Sequence, residues 1–516
     1  LGYGALAANT TADNNTAVGY NALTANTTGT NNVAVGKDAG LSITTGGENT
    51  AIGESALSLA TTAAGNTAIG REALKINSSG VGNTAVGKDT LNSNTTGSNN
   101  VAVGKLAMDV NSTGGANVAI GEDALKGNTT ASNNVAVGQA AMELNSTGTE
   151  NVAVGASALK TITTVSACTA IGYRALEDNV AGENTAVGDG ALRENTTGTN
   201  NVAVGSYAMS DAHTTGSNNT AIGRAALNVS TTASSNVAVG SGALATNNTG
   251  YTNTAVGSSC MNANTTGFDN VAMGASALDA NTTAPNNVAI GAYACGTQIA
   301  AASNNTAVGA YALNLALSGT NVALGYTAGA SITTATLMTF LGYNADSSTT
   351  SGIDRIVVGA NISGTTDSTF MFGKASNTAI SNAFTNSGSA TFTYSSDERK
   401  KRNIVDETLG LEFINKLQPR TFQWKPQNEY PEEWAAYNEV NEMDIEKVHH
   451  GFIAQEVKAV LDEYGVAESM DVWSEDPDGM QRLNETKLIT QLIKAVQELS
   501  AEVEELKKKA HNKCEE

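Results

Sequence analysis

The chain has 516 residues, of which 53 are glycine and only 5% are aromatic, and its formal net charge is −21. So few large apolar side chains exclude a thick globular core, and an acidic chain without a basic stripe excludes nucleic acid as a partner. The charge is uneven, since 27 of the 49 acidic and 16 of the 28 basic residues lie in the last 120 positions.

The cysteines are few and far apart, and none belongs to a Cys-x-x-Cys pair. Three of them stand in repeat copies where other copies have Asn, Ala or Leu. This pattern predicts small, semi-buried side chains rather than disulfides or metal ligands, and no cofactor is expected. No apolar run is long enough to span a membrane, so membrane insertion is not expected either. The four positions are Cys168, Cys260, Cys295 and Cys514.

A short motif, Asn-(Thr/Val)-Ala-(Val/Ile)-Gly, recurs along most of the chain. Its glycine returns every 17 residues from Gly2 to Gly359, with single-residue slips that cancel, so that this span contains 21 periods. Such a period indicates an architecture in which each copy packs on its neighbours. Residues 1–361 are therefore predicted to form one mainly β solenoid.

Each repeat combines a short strand with turn residues. In Val33-Ala34-Val35 the valines share one face and the alanine lies on the other, as in a β-strand. Gly36 then permits a backbone that β-branched residues cannot adopt, and Asn-Thr-Thr-Gly, as in residues 26–29, is typical of turns. One coil can bury only a valine or two and a leucine. We therefore expect a narrow core of these side chains, in several chains packed side by side.

The repeat resembles the left-handed β-roll heads of trimeric autotransporter adhesins and, even more, the repeat shafts of phage tail fibres. The resemblance implies a long parallel, homotrimeric β-solenoid. Its Asn-x-Ser/Thr sequons recur because the turn recurs, and its threonines alternate with Val, Asn and Ser. A passive spacer with an incidental sugar- or receptor-binding surface is therefore favoured over a glycosylated or an ice-binding protein.

Residues 362–395 are predicted to form a β neck. The 17-residue spacing lapses after Gly359 and is followed by Ser-, Asn- and Gly-rich spacers. Phe370–Gly373 repeats the strand-and-glycine pattern, and Ala390–Tyr394 alternates like a last strand.

The segment after the neck begins with Ser396, followed by two acidic residues, which on chemistry alone predicts a helix N-terminus. Three separated stretches favour another interpretation. Together they resemble the intramolecular chaperone auto-processing domain found at the C-terminus of phage endosialidases, other tailspikes and tail fibres, and the resemblance covers residues 396–516. The stretches are Ser-Asp-Glu-Arg-Lys-Lys-Arg-Asn-Ile (396–404), Leu-Gln-Pro-Arg-Thr-Phe-Gln-Trp-Lys (417–425) and Gly-Phe-Ile-Ala-Gln-Glu-Val (451–457).

The resemblance implies a domain that trimerises, templates the folding of the β-rich stalk and then cuts itself off between Ser and Asp. The scissile bond would join Ser396 to Asp397, with Ser396 as the nucleophile. The family's essential lysine, five residues after that serine, falls on Lys401. The family usually has leucine where this chain has Lys400, so both lysines stay candidates for the base.

The chemistry of this stretch fits a serine–lysine pair. A serine hydroxyl needs a base, and positive neighbours favour the neutral, basic form of a lysine. Arg399, Lys400, Lys401 and Arg402 supply such neighbours, whereas the alternative is a solvated basic face balanced by nearby acidic residues. Arg399 is expected to orient the site. His450 is a candidate to assist, although a structural role is favoured for it.

The end of the chain carries an apolar heptad pattern spaced 3-4-3-4-3, which predicts a coiled coil over about residues 486–510. Its Ile/Val and Leu alternation favours two strands, whereas the family resemblance implies three, and we adopt three. A further short helix is predicted over residues 451–460. The heptad positions are Ile489, Leu492, Val496, Leu499, Val503 and Leu506.

These features together predict a structural, receptor-binding tail fibre shaft of a phage that matures by a single self-cleavage and acts on no external substrate. The alternative is a bacterial trimeric surface adhesin, or a host-glycan-binding spike, with the same assembly domain. Expected partners are further copies of the chain, an unidentified host receptor or glycan, and other virion tail proteins. The last would bind a preceding part of the protein, since Leu1 lies inside a repeat. The expected location is the virion tail, with the bacterial surface as the alternative.

Overall fold

The computed structural model describes residues 1–211, 214–297, 302–374, 377–381, 392–393, 398, 401–432, 434, 437–441, 444–476 and 479–515. The chain consists of two compact units, Leu1–Tyr394 and Ser395–Glu516. The first is a parallel β-solenoid, and the second combines short helices and two-stranded sheets with a long C-terminal helix. The predicted fold class is confirmed.

Three-residue strands recur once per repeat through the first unit. Each strand pairs with the next in parallel and in register, so that Ala17 lies opposite Ala34 and Ala34 opposite Ala51. The repeat therefore forms a stack of coils with one of these strands in each coil. In chain order, β1 to β20 are Thr16–Val18, Val33–Val35, Thr50–Ile52, Thr67–Ile69, Thr84–Val86, Val101–Val103, Val118–Ile120, Val135–Val137, Val152–Val154, Thr169–Ile171, Thr185–Val187, Val202–Val204, Thr220–Ile222, Val237–Val239, Thr254–Val256, Val271–Met273, Val288–Ile290, Thr306–Val308, Val322–Leu324 and Thr339–Leu341.

The glycine that follows each strand adopts a backbone conformation that strongly favours glycine. Gly36 has a φ of 141°. A side chain on it would place its Cβ 2.5 Å from the carbonyl oxygen of Gly53 in the next coil. The equivalent glycines from Gly2 to Gly359 have φ values between 129° and 146°. The turn role predicted for this glycine is confirmed, and close contact between coils is a second reason for it.

The strand face that points into the coil is the opposite of the one expected. In β1 to β19 the central alanine points into the coil and the flanking residues point outwards, so that Ala34 is 0% exposed and Val35 37%; in β20 the buried central residue is Phe340. The expectation that valines fill the core is wrong. Leucine and asparagine from the rest of the coil occupy the interior, which leaves room for a methyl group at the strand but not for two β-branched side chains.

Leucine or methionine supplies the large apolar side chain of most coils. Leu23 is buried and has a φ of 50°, and its equivalents Leu57, Leu74 and Met108 behave in the same way. A left-handed backbone costs a residue other than glycine about 1–2 kcal/mol. Burial of the side chain offsets this cost.

The asparagine before each strand forms a buried hydrogen-bonded ladder in most coils. The backbone amide and Nδ2 of Asn100 both donate to Oδ1 of Asn83, at 3.0 and 3.1 Å. Nδ2 also donates to the carbonyl of Gly114 at 2.9 Å. Sequence patterns assign asparagine to turns, so this interior ladder is not predicted.

A second ladder runs through the turns. Nδ2 of Asn94 donates to the carbonyl of Gly97 at 2.9 Å within its own turn, and to Oδ1 of Asn77 in the previous coil at 2.8 Å. The turn role of Asn-Thr-Thr-Gly is therefore confirmed. Both ladders favour one register, because a slipped coil would leave buried donors and acceptors without partners.

The solenoid continues into a small mixed sheet. Parallel stacking runs from β20 through β22 to β24, whereas β25 and β26 pair antiparallel. The strand predicted at Phe370–Gly373 is present within β24, and of Ala390–Tyr394 only Phe392–Thr393 belongs to the described residues. The strands are β21 Asp346–Ser347, β22 Arg355–Ala360, β23 Ser363–Gly364, β24 Thr369–Lys374, β25 Asn377–Ser381 and β26 Phe392–Thr393.

The second unit is built around its own apolar core, formed by Phe413, Leu417, Val457, Leu461 and Leu488 with Val472. The helix predicted over 451–460 begins later, at Ala454, because residues 449–451 pair as a strand. In chain order the elements are α1 Leu411–Lys416, β27 Arg420–Phe422, β28 His449–Gly451, α2 Ala454–Glu463, β29 Trp473–Glu475, β30 Gln481–Leu483 and α3 Ile489–Glu515, with 3-10 helices at Gln427–Glu429 and Glu485–Leu488.

Candidate functional site

Most of the predicted cleavage residues lie outside the described part of the chain. These residues are Ser396, Asp397, Arg399 and Lys400. Lys401 is described and exposed, and its backbone amide donates to the carbonyl of Glu398 at 2.9 Å. The roles assigned to these residues therefore stay predictions.

The second and third sequence stretches lie side by side. β27, from the Gln-Pro-Arg-Thr-Phe stretch, pairs antiparallel with β28, whose last residue, Gly451, is the first residue of the third stretch. In this pairing Thr421 lies opposite His450, and Phe422 opposite His449. Two segments almost thirty positions apart in the sequence therefore form one local structure.

An ion pair joins the same two stretches a second time. Nε and Nη2 of Arg420 donate to the two carboxylate oxygens of Glu456 at 3.0 and 2.8 Å. The hydrogen bond from Arg420 lowers the pKa of the Glu456 carboxyl group. Both side chains are exposed, so the pair specifies geometry and contributes little to stability. Sequence analysis did not single out either residue.

An aromatic cluster lies on this pair of strands. The ring of Phe422 stacks on His449 at 5.8 Å and meets Trp424 edge to face at 5.3 Å. His450, the predicted assistant, is exposed on the strand. The neighbouring histidine is thus the one whose ring packs on the stretch from 417 to 425.

The segment that follows the predicted cleavage residues is held by α3. Glu407 Oε1 accepts hydrogen bonds from the amides of Thr408 and Leu409 at 2.8 and 2.9 Å, and Oε2 accepts one from Nε2 of Gln491 at 2.8 Å. Glu498 Oε2 accepts a hydrogen bond from the amide of Leu411 at 2.7 Å. A cavity of about 670 Å³ lies beside this segment and is lined by Glu407, Thr408, Leu409, Tyr464, Val466, Ser469, Met470, Lys487, Thr490 and Gln491.

The heptad positions of α3 are exposed in the single chain. The helix is present over Ile489–Glu515, and its six predicted seam residues are 40–63% exposed. A row of exposed apolar side chains at heptad spacing is the surface that a coiled coil buries against a partner helix.

Comparison with known families assigns the segment that contains the three stretches. Residues 396–466 match the family model of the chaperone of endosialidase. The resemblance stated from the sequence is confirmed for this segment. The family is a self-cleaving intramolecular chaperone domain, and the match includes β27, β28 and α2 but ends before α3. No curated protein and no solved structure matches the chain.

The described residues also bear on the metal, cysteine and membrane predictions. They contain no group of three or more His, Cys, Asp or Glu side chains arranged to hold a metal ion. Cys168, Cys260 and Cys295 are free and fully buried rather than semi-buried, and burial raises the pKa of the Cys260 thiol to about 12. Among the described helices, none has the length and apolar character needed to cross a membrane.

Proposed function

We propose that this protein is the shaft of a homotrimeric phage tail fibre whose C-terminal chaperone segment assembles the trimer and then cleaves itself off. The observation that carries the proposal is the order of the two units. A regular parallel solenoid is followed directly by a chaperone-of-endosialidase segment and a helix with an exposed heptad seam. The host receptor or glycan, the virion tail location and the contact with other tail proteins belong to the same proposal.

The outer face of the solenoid sheet supports association of several chains. The first and third residues of β1 to β20 face outwards, and all forty are Thr, Val, Ile, Leu or Met, with no charged residue among them. The third position is apolar in every strand. Such a long uncharged surface is unusual for a chain that stays alone in water.

The proposed reaction is hydrolysis of the Ser396–Asp397 peptide bond. Lys401, or Lys400, takes the proton of the Ser396 hydroxyl group, and the resulting oxygen attacks the carbonyl carbon before Asp397. The amine of Asp397 leaves with a proton, and water then hydrolyses the ester to restore the serine hydroxyl and release a carboxylate. Arg399 orients the site. The reaction happens once per chain.

The position of the nucleophile favours attack between chains. A serine that attacks the carbonyl carbon of its own residue would close a strained four-membered ring. A Ser396 supplied by another copy of the chain avoids this ring. Cleavage would then require assembly, which agrees with a segment that serves as a chaperone first.

The test is expression of the full chain, followed by denaturing gel electrophoresis, fragment mass and native mass. We expect a trimer, a C-terminal fragment that starts at Asp397, and no fragment from a Ser396→Ala variant. Lys401→Ala and Lys400→Ala, compared side by side, identify the base. A wild-type chain that stays intact, or a Ser396→Ala chain that is cut at the same bond, would contradict the self-cleavage.

A further inference from the structure

Glu407 is half-buried and Gln491 is buried, and a hydrogen bond joins their side chains. The Gln491 side chain is 4% exposed. Its Nε2 donates to Glu407, while its Oε1 accepts a hydrogen bond from Oγ1 of Thr490 at 2.9 Å. A charge-assisted hydrogen bond in such a position is stronger and more specific than one on the surface. Glu407 lies ten residues after Asp397 in the sequence, so the contact holds a part of the chain that follows the proposed scissile bond.

Helix α3 and its lead-in carry this contact and the heptad seam on separate stripes. Leu488, Gln491 and Ala495 are buried against the chaperone unit, and Glu498 continues their stripe. At 100° per residue the seam is displaced from that stripe by about a quarter of a turn. One rigid helix can therefore bind a partner helix and hold residues 407–411 at the same time.

The two halves of α3 differ in burial. Residues 499–513 are exposed throughout, and only residues at the start of the helix are buried. A helix without tertiary packing is marginally stable in water. Association through the seam would stabilise the helical conformation of this half. It would thereby also stabilise the part of the helix that carries Gln491 and Glu498.

We propose that Glu407, Gln491 and Glu498 are positioning residues that couple the association of α3 to self-cleavage. The proposal rests on the proposed function and assigns residues to its control. In the associated state the helix holds residues 407–411 in place. We expect a fixed position of residues 407–411 to raise the rate at which the scissile bond meets the nucleophile.

The first experiment compares Gln491→Ala with Gln497→Ala in the full chain. Gln497 is exposed on the same helix, so its variant controls for loss of a glutamine from α3. We expect both variants to form the wild-type oligomer by native mass, while fragment release slows at least about tenfold in Gln491→Ala alone, the factor expected for one charge-assisted hydrogen bond. Equal rates of fragment release in the two variants would overturn the proposal.

The second experiment exchanges the partners. Gln491→Glu alone places two carboxylates together and should slow cleavage further. Adding Glu407→Gln restores the contact with its direction reversed, since the new amide at position 407 can donate to the new carboxylate and still accept from Thr408 and Leu409. Recovery of the rate to within about threefold of wild type is expected, because the same number of hydrogen bonds is present. A double variant as slow as Gln491→Glu would contradict a role of this contact in cleavage.

A third measurement distinguishes failure of the coupling from failure of the proposed function. In a Ser396→Ala background no cleavage occurs, and amide hydrogen exchange at Thr408, Leu409 and Leu411 reports the contact directly. Protection should be higher in the oligomer than in the dissociated chain, and should be lost with Gln491→Ala. If the wild-type chain does not cleave but this pattern appears, the proposed function fails while the coupling stands. Unchanged protection overturns the coupling.

Discussion

The contacts inside the two units join residues at very different separations in the sequence. In the solenoid, ladder contacts join residues 17 positions apart, as between Asn83 and Asn100. In the C-terminal unit, Gln491 contacts Glu407 across 84 positions and Glu498 contacts Leu411 across 87. The solenoid can therefore form coil by coil, whereas the C-terminal unit closes only when nearly all of it is present.

The two units also differ in how many relative alignments of neighbouring chains they allow. Neighbouring coils have almost the same residues at the same places. Two solenoids shifted by one whole coil against each other would therefore lose contacts only at their ends. Apart from the heptads of α3, the C-terminal unit has no repeat, and the contacts of Glu407 and Leu411 with α3 are possible in one alignment only. The unique unit is thus the one suited to align chains, and the repeated unit is the one that needs alignment.

The strongest way to break a coil is to add a side chain to its strand-end glycine. Gly70→Ala would place Cβ 2.3 Å from the carbonyl oxygen of Gly87 at a φ of 138°. We expect the free energy of unfolding to fall by about 4 kcal/mol, because neither backbone can move without breaking the stack. Gly65→Ala is the matched control in the previous turn, where φ is 66° and the nearest atom is 3.9 Å away. It should cost about 1 kcal/mol in chemical denaturation; equal losses would contradict the role of the neighbouring coil.

A seam substitution should separate assembly from folding in the other unit. Leu499→Glu puts a charge on the exposed heptad stripe. Association should weaken by about 3 kcal/mol per chain, since an apolar contact is lost and a carboxylate would be buried. The circular dichroism of the unassociated chain should not change. Ser500→Glu, exposed but outside the seam, is the control for native mass measurements. A Leu499→Glu chain that associates like wild type would exclude this seam as the interface.

Removal of one ladder asparagine should have an intermediate and local effect. Asn134 donates to Asn117 and Gly148, and its Oδ1 accepts the amide of Asn151 at 3.0 Å. Asn134→Ala removes both side-chain donations and leaves the buried amide of Asn151 without its acceptor, and it should reduce stability by about 2 kcal/mol. Hydrogen exchange should increase in the adjoining coils and not in the C-terminal unit. Gln139→Ala, at an exposed position of the same coil, should leave exchange unchanged; a spread of the effect to the whole chain would contradict coil-by-coil stability.

Repair of the ladder should stabilise the solenoid slightly. Cys168 occupies a ladder position, where its amide donates to Oδ1 of Asn151 at 2.9 Å but its thiol replaces the side-chain amide. Cys168→Asn should raise the free energy of unfolding by about 1 kcal/mol through the restored hydrogen bonds. Cys260→Asn is the contrasting variant, because Cys260 stands at an alanine position, and it should destabilise. The same sign for both variants in thermal unfolding would show that the ladder position has no special role.

The sequence predicted the features of the solenoid that depend on spacing. The period, the strand around Ala34 and the turn at Gly36 all follow from residue types at fixed intervals, and all are confirmed. Which strand face points inwards could not be predicted in this way. Apolar size suggested valine, whereas the actual choice depends on the width of the coil, a property of the closed backbone rather than of any residue. The same closure places Asn100 in the interior and Leu23 at a positive φ.

In the C-terminal unit, the sequence predicted α3 from its heptads and the chaperone segment from three stretches. It could not predict the pairing of β27 with β28, the Arg420–Glu456 ion pair or the Glu407–Gln491 contact. These join residues far apart in the chain, and nothing in either neighbourhood specifies its partner. The roles of Ser396 and Lys401 stay predictions, which only chemistry on the protein itself will test.

The last strands of the first unit have a consequence for solubility. A stack of parallel in-register strands with buried asparagine ladders has the plan of an amyloid protofilament folded within one molecule, and an open end would recruit further copies. Here the ladder ends at Met338. Its backbone amide donates to Oδ1 of Asn321 at 3.1 Å, but its side chain has no amide group to continue the ladder. The parallel edge of β24 is then covered by antiparallel β25. The strands after the solenoid therefore change the pairing at this end from parallel to antiparallel, so the parallel stack is not continued by β25 and β26.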